Sequence, residues 1–351
     1  MFQKFEGVEI EAIAGCVPKN TVLNETFADL LSPKEMRIFE KTVGITERRW
    51  AEDSITSSDL GFAAAQHLFE KINIDKNDVE SLVFISQTPD FKIPFTSNIL
   101  QGRLGLKTET LCLDINAGCA GFVQGLSTSF SLAKSLPKGK KILLIIAETL
   151  SKILSSNDRS TTMLFGDGAT ALIIENTGNE NAKSSFNFFS DGLNSDAIQI
   201  PDGGYRNAIN KDSLLIKTDE SGNQKTNLNL EMDGPKVFDF TLREIAKSIE
   251  NLISKSLVEK EKIDYFLLHQ SNQFIIKQIA SQLRIDSHKM LLNIKYFGNT
   301  SGVSIPLLIC SNKEKIQNSK RVLISGYGSG LNWGNCLLSL SKTEILELKE
   351  I

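Results

Sequence analysis

Three residue types that can act together chemically lie in small-residue or glycine-rich settings: Cys119 in LDINAGCAGF, His269 in LLHQSN and Asn299 in FGNTSGVS. Leu111, Leu113 and Ile115 alternate as a short strand that ends at Asn116, and the spacing predicts a small-residue turn and a helix beginning at about Cys119. At a helix N-terminus the free backbone N–H groups and the positive dipole end favour a thiolate, so Cys119 is a candidate nucleophile. Ala117, Gly118, Ala120 and Gly121 carry almost no side chain. A substrate carbonyl could therefore approach the Cys119 backbone N–H, the geometry acyl transfer needs. Taken alone, the stretch also fits a buried structural cysteine.

The chain has three histidines. His67 sits beside Leu68 and Phe69 in a predicted helix and His288 in the polar turn RIDSHKM, so both read as structural or solvated. His269 follows the apolar run Phe266, Leu267, Leu268, which places it at the carboxyl end of a buried strand, where α/β sheets tend to hold ligands. Asn299 lies between Gly298 and Thr300, where a carboxamide donor can be held toward a cavity. Read singly, these are more simply a core histidine and a surface turn.

The elements that must position these groups are readable from pattern. Val8, Ile10 and Ala12 alternate as a strand, and residues 33 to 41 and 58 to 71 read as helices. SLVFIS at 81 to 86 is an apolar strand, the loop QTPDFKIP follows, and Pro94 stands near the start of a helix in FTSNILQGRLG. KKILLIIAE at 140 to 148 is a further strand, and 161 to 175 suggests two β segments joined at Gly166, Asp167 and Gly168. From about 176 to 230 polar and turn residues dominate, predicting a connecting region with irregular strands. A helix at 236 to 256, a strand at 265 to 270, the helix QFIIKQIASQLRI, a helix at about 304 to 312, and the strands RVLISG and GNCLLSL complete the order. Helix and strand patterns thus repeat, dividing the chain into a half at 1–175 carrying the cysteine and a half at 176–351 carrying the histidine and asparagine.

At 351 residues the chain can bury one large core or two ordinary ones. Hydrophobic content of 41%, charged content of 23% and only 8 prolines exclude disordered and fibrous classes. A net charge of −3 provides no global field for nucleic acid or anionic lipid, so neither nucleic acid nor membrane is an expected partner. Cys16, Cys112, Cys119, Cys310 and Cys336 form no CxxC pair, which argues against a disulfide framework or a metal site and fits a reducing cytoplasm. The run ILLIIA at 142 to 147 is too short to span a bilayer, and the first residues alternate like a strand instead of forming a leader.

LDINAGCAGF, LLHQSN and FGNTSGVS, with FGDGATA at 165 to 171 and SGYGSGLNWG at 325 to 334, together resemble the landmark motifs of the ketoacyl synthase III group of the thiolase superfamily. GITERR at 44 to 49 and SDG at 190 to 192 match it as well, in order and across essentially the whole chain. The resemblance implies a thiolase-like α/β fold, two duplicated halves forming an α-β-α-β-α layered core. It implies an acyltransferase in which Cys119 accepts an acyl group while His269 and Asn299 drive decarboxylation of a malonyl thioester. Backbone N–H groups at Cys119 and near Ser329 would form the oxyanion hole, and the product would be a 3-oxoacyl thioester two carbons longer. The implied partners are an acyl-CoA or acyl-ACP donor, malonyl-ACP and hence acyl carrier protein, with no cofactor and no metal. A homodimer is implied in which the loop at 88 to 95 closes the partner's acyl pocket with Ile93 at its floor. Phe165, Asn272 and Tyr327 match positions around the substrate.

The sequence also departs from that group. Where the adenine of coenzyme A would be clamped, the chain has Ile38 and Thr42, and only Arg159 resembles the clamp. Positions that would meet acyl carrier protein read Asp239 and Phe274; Lys236, Lys277 and Arg284 fit a solvated helix face or a substitute for it. These departures suggest a specialised lipid or polyketide-like pathway. Related enzymes that condense without decarboxylation place a glutamate base in the loop after the 81 to 86 strand, where this chain has Asp90 as the single acid. Acyl transfer without condensation and a silent partner subunit are the remaining alternatives.

Overall fold

Two sheets run through the molecule with helices between them and on both outer faces, as the family resemblance implies; a computed structural model describes all 351 residues. The first sheet has seven strands: Leu111–Ile115 at one edge, then Val79–Ile85, Lys141–Glu148, Gly168–Asn176 and Val8–Val17, with the short strands Glu344–Ile345 and Lys349–Glu350 both on Val8–Val17. The second sheet has five, in the order Phe2–Glu6, Lys183–Ser190, Asn332–Leu338, Val322–Gly328, Tyr265–Leu268. Four strands of each sheet share one plan. The first in the chain is antiparallel to the fourth, the fourth antiparallel to the third, and the third parallel to the second.

The sheets do not divide cleanly at residues 175 and 176. Phe2–Glu6 pairs with Lys183–Ser190, whereas the C-terminal strands pair with Val8–Val17, so each end of the chain is tied into the other sheet.

Helix Gly121–Lys134 and helix Ser304–Ser311 lie between the sheets, in the largest apolar cluster. The first seven residues of the latter are all buried, and the former carries Gly, Ser and Ala among its Phe, Val and Leu side chains. That composition suits a helix covered all round, where small residues let a sheet approach. A Cβ on Gly125 would lie 2.1 Å from Ile85 Cδ1. Outside, Ser57–Lys71 covers the first sheet and Gly234–Ser256 the second.

Two expectations are corrected. Residues 161 to 175 form no hairpin: only Gly168–Asn176 is a strand, and Phe165 instead makes an isolated parallel bridge to Asn299. The polar stretch from 176 to 230 contains a regular core strand, Lys183–Ser190, whose Phe186 and Asn187 are buried. Its KSSFNFFS sequence hides the strand because Asn187 is satisfied internally, by the Ser248 carbonyl and by Asn251 and Asn335.

Candidate active site

Five parallel-paired strands point their carboxyl ends at one place. Gln87 follows Val79–Ile85, Cys119 follows Leu111–Ile115, Glu148 ends Lys141–Glu148, His269 follows Tyr265–Leu268 and Ser329 follows Val322–Gly328. This is where open α/β sheets leave a crevice.

The helix after Cys119 begins at Gly121, two residues later than the sequence suggests, so the cysteine stands in the preceding turn, closed by Gly121 N–H donating to the Gly118 carbonyl at 2.7 Å. The second sheet presses directly on it. A Cβ on Gly328 would lie 2.7 Å from Cys119 Cβ and 2.9 Å from its Sγ, and one on Gly326 would lie 2.9 Å from the Cys119 carbonyl oxygen. Glycine is therefore required at both positions by contact, not by backbone angle.

The expected thiolate preference is corrected too. Burial pushes the Cys119 thiol up to about 11, and the charge of Glu148 adds to that; the Ser301 hydroxyl, 3.6 Å from Sγ, and the backbone N–H groups of Cys119 and Ser329 oppose it without prevailing. The resting group is a neutral thiol. The N–H groups that favour its anion are the two named as an oxyanion hole.

His269 is buried against the Tyr327 ring at 5.4 Å in an edge arrangement, with its backbone N–H on the Ser325 carbonyl at 2.8 Å. Nδ1 is 2.7 Å from Ser304 Oγ, an atom that also accepts from Gln270 N–H at 3.4 Å. Burial holds the imidazole down at about 3, so it is neutral near pH 7.

Asn299 is fixed at three points. Its N–H donates to the Leu164 carbonyl at 2.8 Å, its carbonyl accepts from Gly166 N–H at 3.1 Å, and its side-chain Oδ1 accepts from Ser301 N–H at 2.9 Å. With Oδ1 occupied, the amide N–H2 is the part left for the cavity. The crossing of FGDG and FGNTS needs its glycines, because a Cβ on Gly166 would meet the Phe297 carbonyl oxygen at 2.2 Å and one on Gly298, at φ +62°, the Leu164 carbonyl oxygen at 2.8 Å. Beneath the crossing lies fully buried Arg48 of GITERR, donating to the Val22 and Met163 carbonyls and to Asn24 Oδ1.

One cavity of about 370 Å³ is lined by Cys119, His269 and Asn299 together, and by Phe165, Asn272, Tyr327 and Ser329. Asn272 also caps the helix Gln273–Gln282, its Oδ1 accepting from Phe274 and Ile275 N–H. Arg159, expected at the substrate, lies outside this cavity, and so does Ile93, which was expected in the partner's pocket. Ile93 is 81% exposed and does not line its own chain's cavity, because its loop projects outward. Arg159 sits in a separate open depression with Ile38 and Thr42, 3.6 Å from Glu35. Asp90 accepts from Ser58 Oγ at 2.6 Å and lines neither place.

The sequence reading missed Ser301, Ser304, Glu148, Gln87 and Asn116 as parts of the site. Both serines stand inside FGNTSGVS, and Glu148 is a lone acid closing an apolar strand, so a signal existed for these three. Glu148 is buried, pushed up to about 8 by desolvation, and accepts from Thr88 Oγ1 at 2.8 Å and from Gln87 N–H at 3.1 Å.

Comparison with known proteins yields two family models. Residues 113–192 match 3-oxoacyl-[acyl-carrier-protein] synthase III and residues 253–340 match its C-terminal model. The beta-ketoacyl-[acyl-carrier-protein] synthase III of Streptococcus uberis is 34% identical over 336 residues, 95% of this chain and 99% of the relative. The enzyme of the same name from Streptococcus mutans is 34% identical over 337 residues, again 95% and 99%. Among solved structures, a 3-oxoacyl-(acyl-carrier protein) synthase from Burkholderia xenovorans superposes with a TM-score of 0.93 at 30% identity, covering 100% of this chain and 99% of that one.

Proposed function

This chain belongs to the 3-oxoacyl-[acyl-carrier-protein] synthase III family, and we propose that it joins an acyl group carried on Cys119 to a malonyl thioester with loss of CO2. The observation that carries this reading is the convergence of thiol, imidazole and carboxamide on one cavity.

Acylation exchanges thioesters. Cys119 Sγ attacks the donor carbonyl, its proton passes to the departing thiolate, and the free thiol leaves. A neutral thiol at rest protects the nucleophile until a donor excludes water, and the Cys119 and Ser329 N–H groups then receive the developing oxyanion. The malonyl thioester enters next. Its carboxylate leaves as CO2, and the electron pair left on C2 delocalises onto the thioester oxygen as an enolate. Asn299 Nδ2 and His269 Nε2–H donate to that oxygen. The reaction requires the tautomer in which Ser304 Oγ–H donates to Nδ1 and the ring proton sits on Nε2, and the low proton affinity of the buried ring keeps it a neutral donor. C2 then attacks the acyl carbon, the tetrahedral oxyanion collapses, and the expelled Cys119 thiolate takes up one proton.

We place donor and extender on coenzyme A or acyl carrier protein, with malonyl-ACP as extender and no cofactor. Arg159 is a candidate contact for the donor's nucleotide end, in the depression it shares with Ile38 and Thr42. Homodimerisation is part of the proposal, supported by the unpaired edge strand Leu111–Ile115 with its exposed Leu111, and by exposed Phe91, Ile93 and Phe95 in the loop before a helix whose first N–H groups bond Asp114 of that strand. No helix is long and apolar enough to cross a membrane, and the free cysteines suit the reducing cytoplasm in which we place the reaction. Incubation with an acyl-CoA and malonyl-ACP tests the whole: the expected result is acyl-labelled Cys119, CO2 and a 3-oxoacyl thioester. Labelling without CO2 would reduce the activity to acyl transfer.

A further inference from the structure

A second cleft, of about 220 Å³, adjoins the reaction cavity and shares Gln87, Asn116, Ile198 and Ser329 with it. Its chemistry differs from that of its neighbour. The reaction cavity is walled mainly by groups such as Leu150, Ile153, Leu164 and Phe165, whereas the second cleft is lined by the amide residues Gln87, Asn116, Gln124 and Asn332 with Ser195 and Ser329. None of its eleven lining residues is charged.

The hydrogen-bonding capacity there is only partly used within the chain. Asn332 is occupied, donating to the Ser329 carbonyl at 3.2 Å and accepting from Ser190 Oγ at 2.8 Å. Gln87 Nε2 donates to Ser329 Oγ at 3.1 Å, and its Oε1 lies so near the cysteine turn that a Cβ on Gly118 would come within 2.2 Å of it. Gln87 Oε1 and the side-chain amides of Asn116 and Gln124 make no hydrogen bond to the protein; Gln87 and Asn116 are exposed and Gln124 half-buried, so water serves them in the cleft. A hydrocarbon laid against these groups would displace their water and return nothing, while a hydroxyl, keto or amide oxygen would restore the bonds. Among the groups this chain itself contributes, a carboxylate or an ammonium group would find no counter-charge, so neither ion is matched.

We propose that this cleft receives the distal part of the Cys119-bound acyl group and selects an uncharged, oxygen-bearing chain, such as a hydroxyacyl or oxoacyl group, over the plain alkyl isostere. The proposal rests on Cys119 being the acyl acceptor. The donor's own thioester exchange is unchanged: the C–S bond to the carrier breaks as the bond to Sγ forms, and the carrier leaves as a thiol.

The test uses the full chain and intact-protein mass spectrometry to follow acylation by 3-hydroxybutyryl-CoA and by butyryl-CoA. The expected result is an acylation efficiency about tenfold or more in favour of the hydroxyacyl donor, the worth of one or two unmatched hydrogen bonds. In Asn116→Val and, separately, Gln124→Leu, the ratio of the two rates is expected to fall toward one. Because a ratio is read on the active fraction only, partial misfolding of either variant does not alter it. Equal rates in the wild-type protein, or a preference that both variants retain, would overturn the proposal. Failure of both donors to label Cys119 would instead overturn the reading of Cys119 on which it stands.

Discussion

The nucleophile's turn and the donor pair meet in one cavity but are held there by different means. Cys119 is placed by steric exclusion: Gly326 and Gly328 admit the second sheet to within contact of it, and Gly121 and Gly125 admit Ile85 from below. His269 and Asn299 are placed by hydrogen bonds, to Ser304, Ser325, Ser301, Leu164 and Gly166. A sterically seated thiol can remain neutral and be activated on substrate binding. Donors that must point at a developing charge need fixed directions, which hydrogen bonds supply.

Substitutions on either side can break this contrast. The largest effect is expected from Cys119→Ala, which should lower condensation by at least about 10³-fold while leaving malonyl decarboxylation measurable, as followed by product and CO2 assays. Gly328→Ala should be nearly as severe for acylation, because its methyl group would occupy the Sγ position's own contact zone; overpacking of this kind costs about 1–3 kcal/mol in stability, readable as a lowered thermal midpoint.

On the hydrogen-bonded side, Ser304→Ala should release the imidazole to its other tautomer. CO2 release should fall about tenfold, short of the 100- to 1,000-fold that loss of a donor typically costs, with acylation preserved and partial rescue by Ser304→Thr.

The smallest effect is a pH dependence. The thiol is pushed up to about 11 and the imidazole down to about 3. Iodoacetamide labelling of Cys119 should therefore be slow at pH 7 and rise continuously toward pH 11. Stability linked to the buried neutral His269 should be complete above its unfolded value of about 6.5 and decline as pH falls toward 3, since the unfolded chain then binds the extra proton. A plateau in labelling near pH 7 would show a thiolate and contradict the seating described here.

How much of this was legible in the sequence follows the same divide. The apolar run before His269 announced a strand end, and that placement stands; the small residues around Cys119 were read as room for a substrate carbonyl, and in the fold Gly118 and Gly121 also admit Gln87 and Ile85. The directions of the donors were not legible: the motif holds Ser301 and Ser304, but which atoms they bond, Asn299 Oδ1 and His269 Nδ1, is set only once the chain folds Asn299 against Leu164 and Gly166. The thiolate expectation differs from the fold for two reasons: the helix starts at Gly121 and leaves Cys119 in the turn before it, and desolvation of the thiol outweighs the N–H groups that favour its anion. Strand Lys183–Ser190 was overlooked for a similar reason: Asn187 reads as a turn residue until Ser248, Asn251 and Asn335 are brought beside it. The shared strand order of the two sheets supports a duplicated origin for the halves, a reading we offer as a proposal.

The central claim is a division of labour, one side holding the acyl group and the other generating the carbanion. It is tested most directly by single-turnover measurement on His269→Ala, with intact mass reporting Cys119 acylation and CO2 release reporting decarboxylation. The account predicts acylation close to the wild-type rate with CO2 release lowered on the order of 100-fold or more. Unchanged CO2 release, or acylation lost in step with it, would contradict the account.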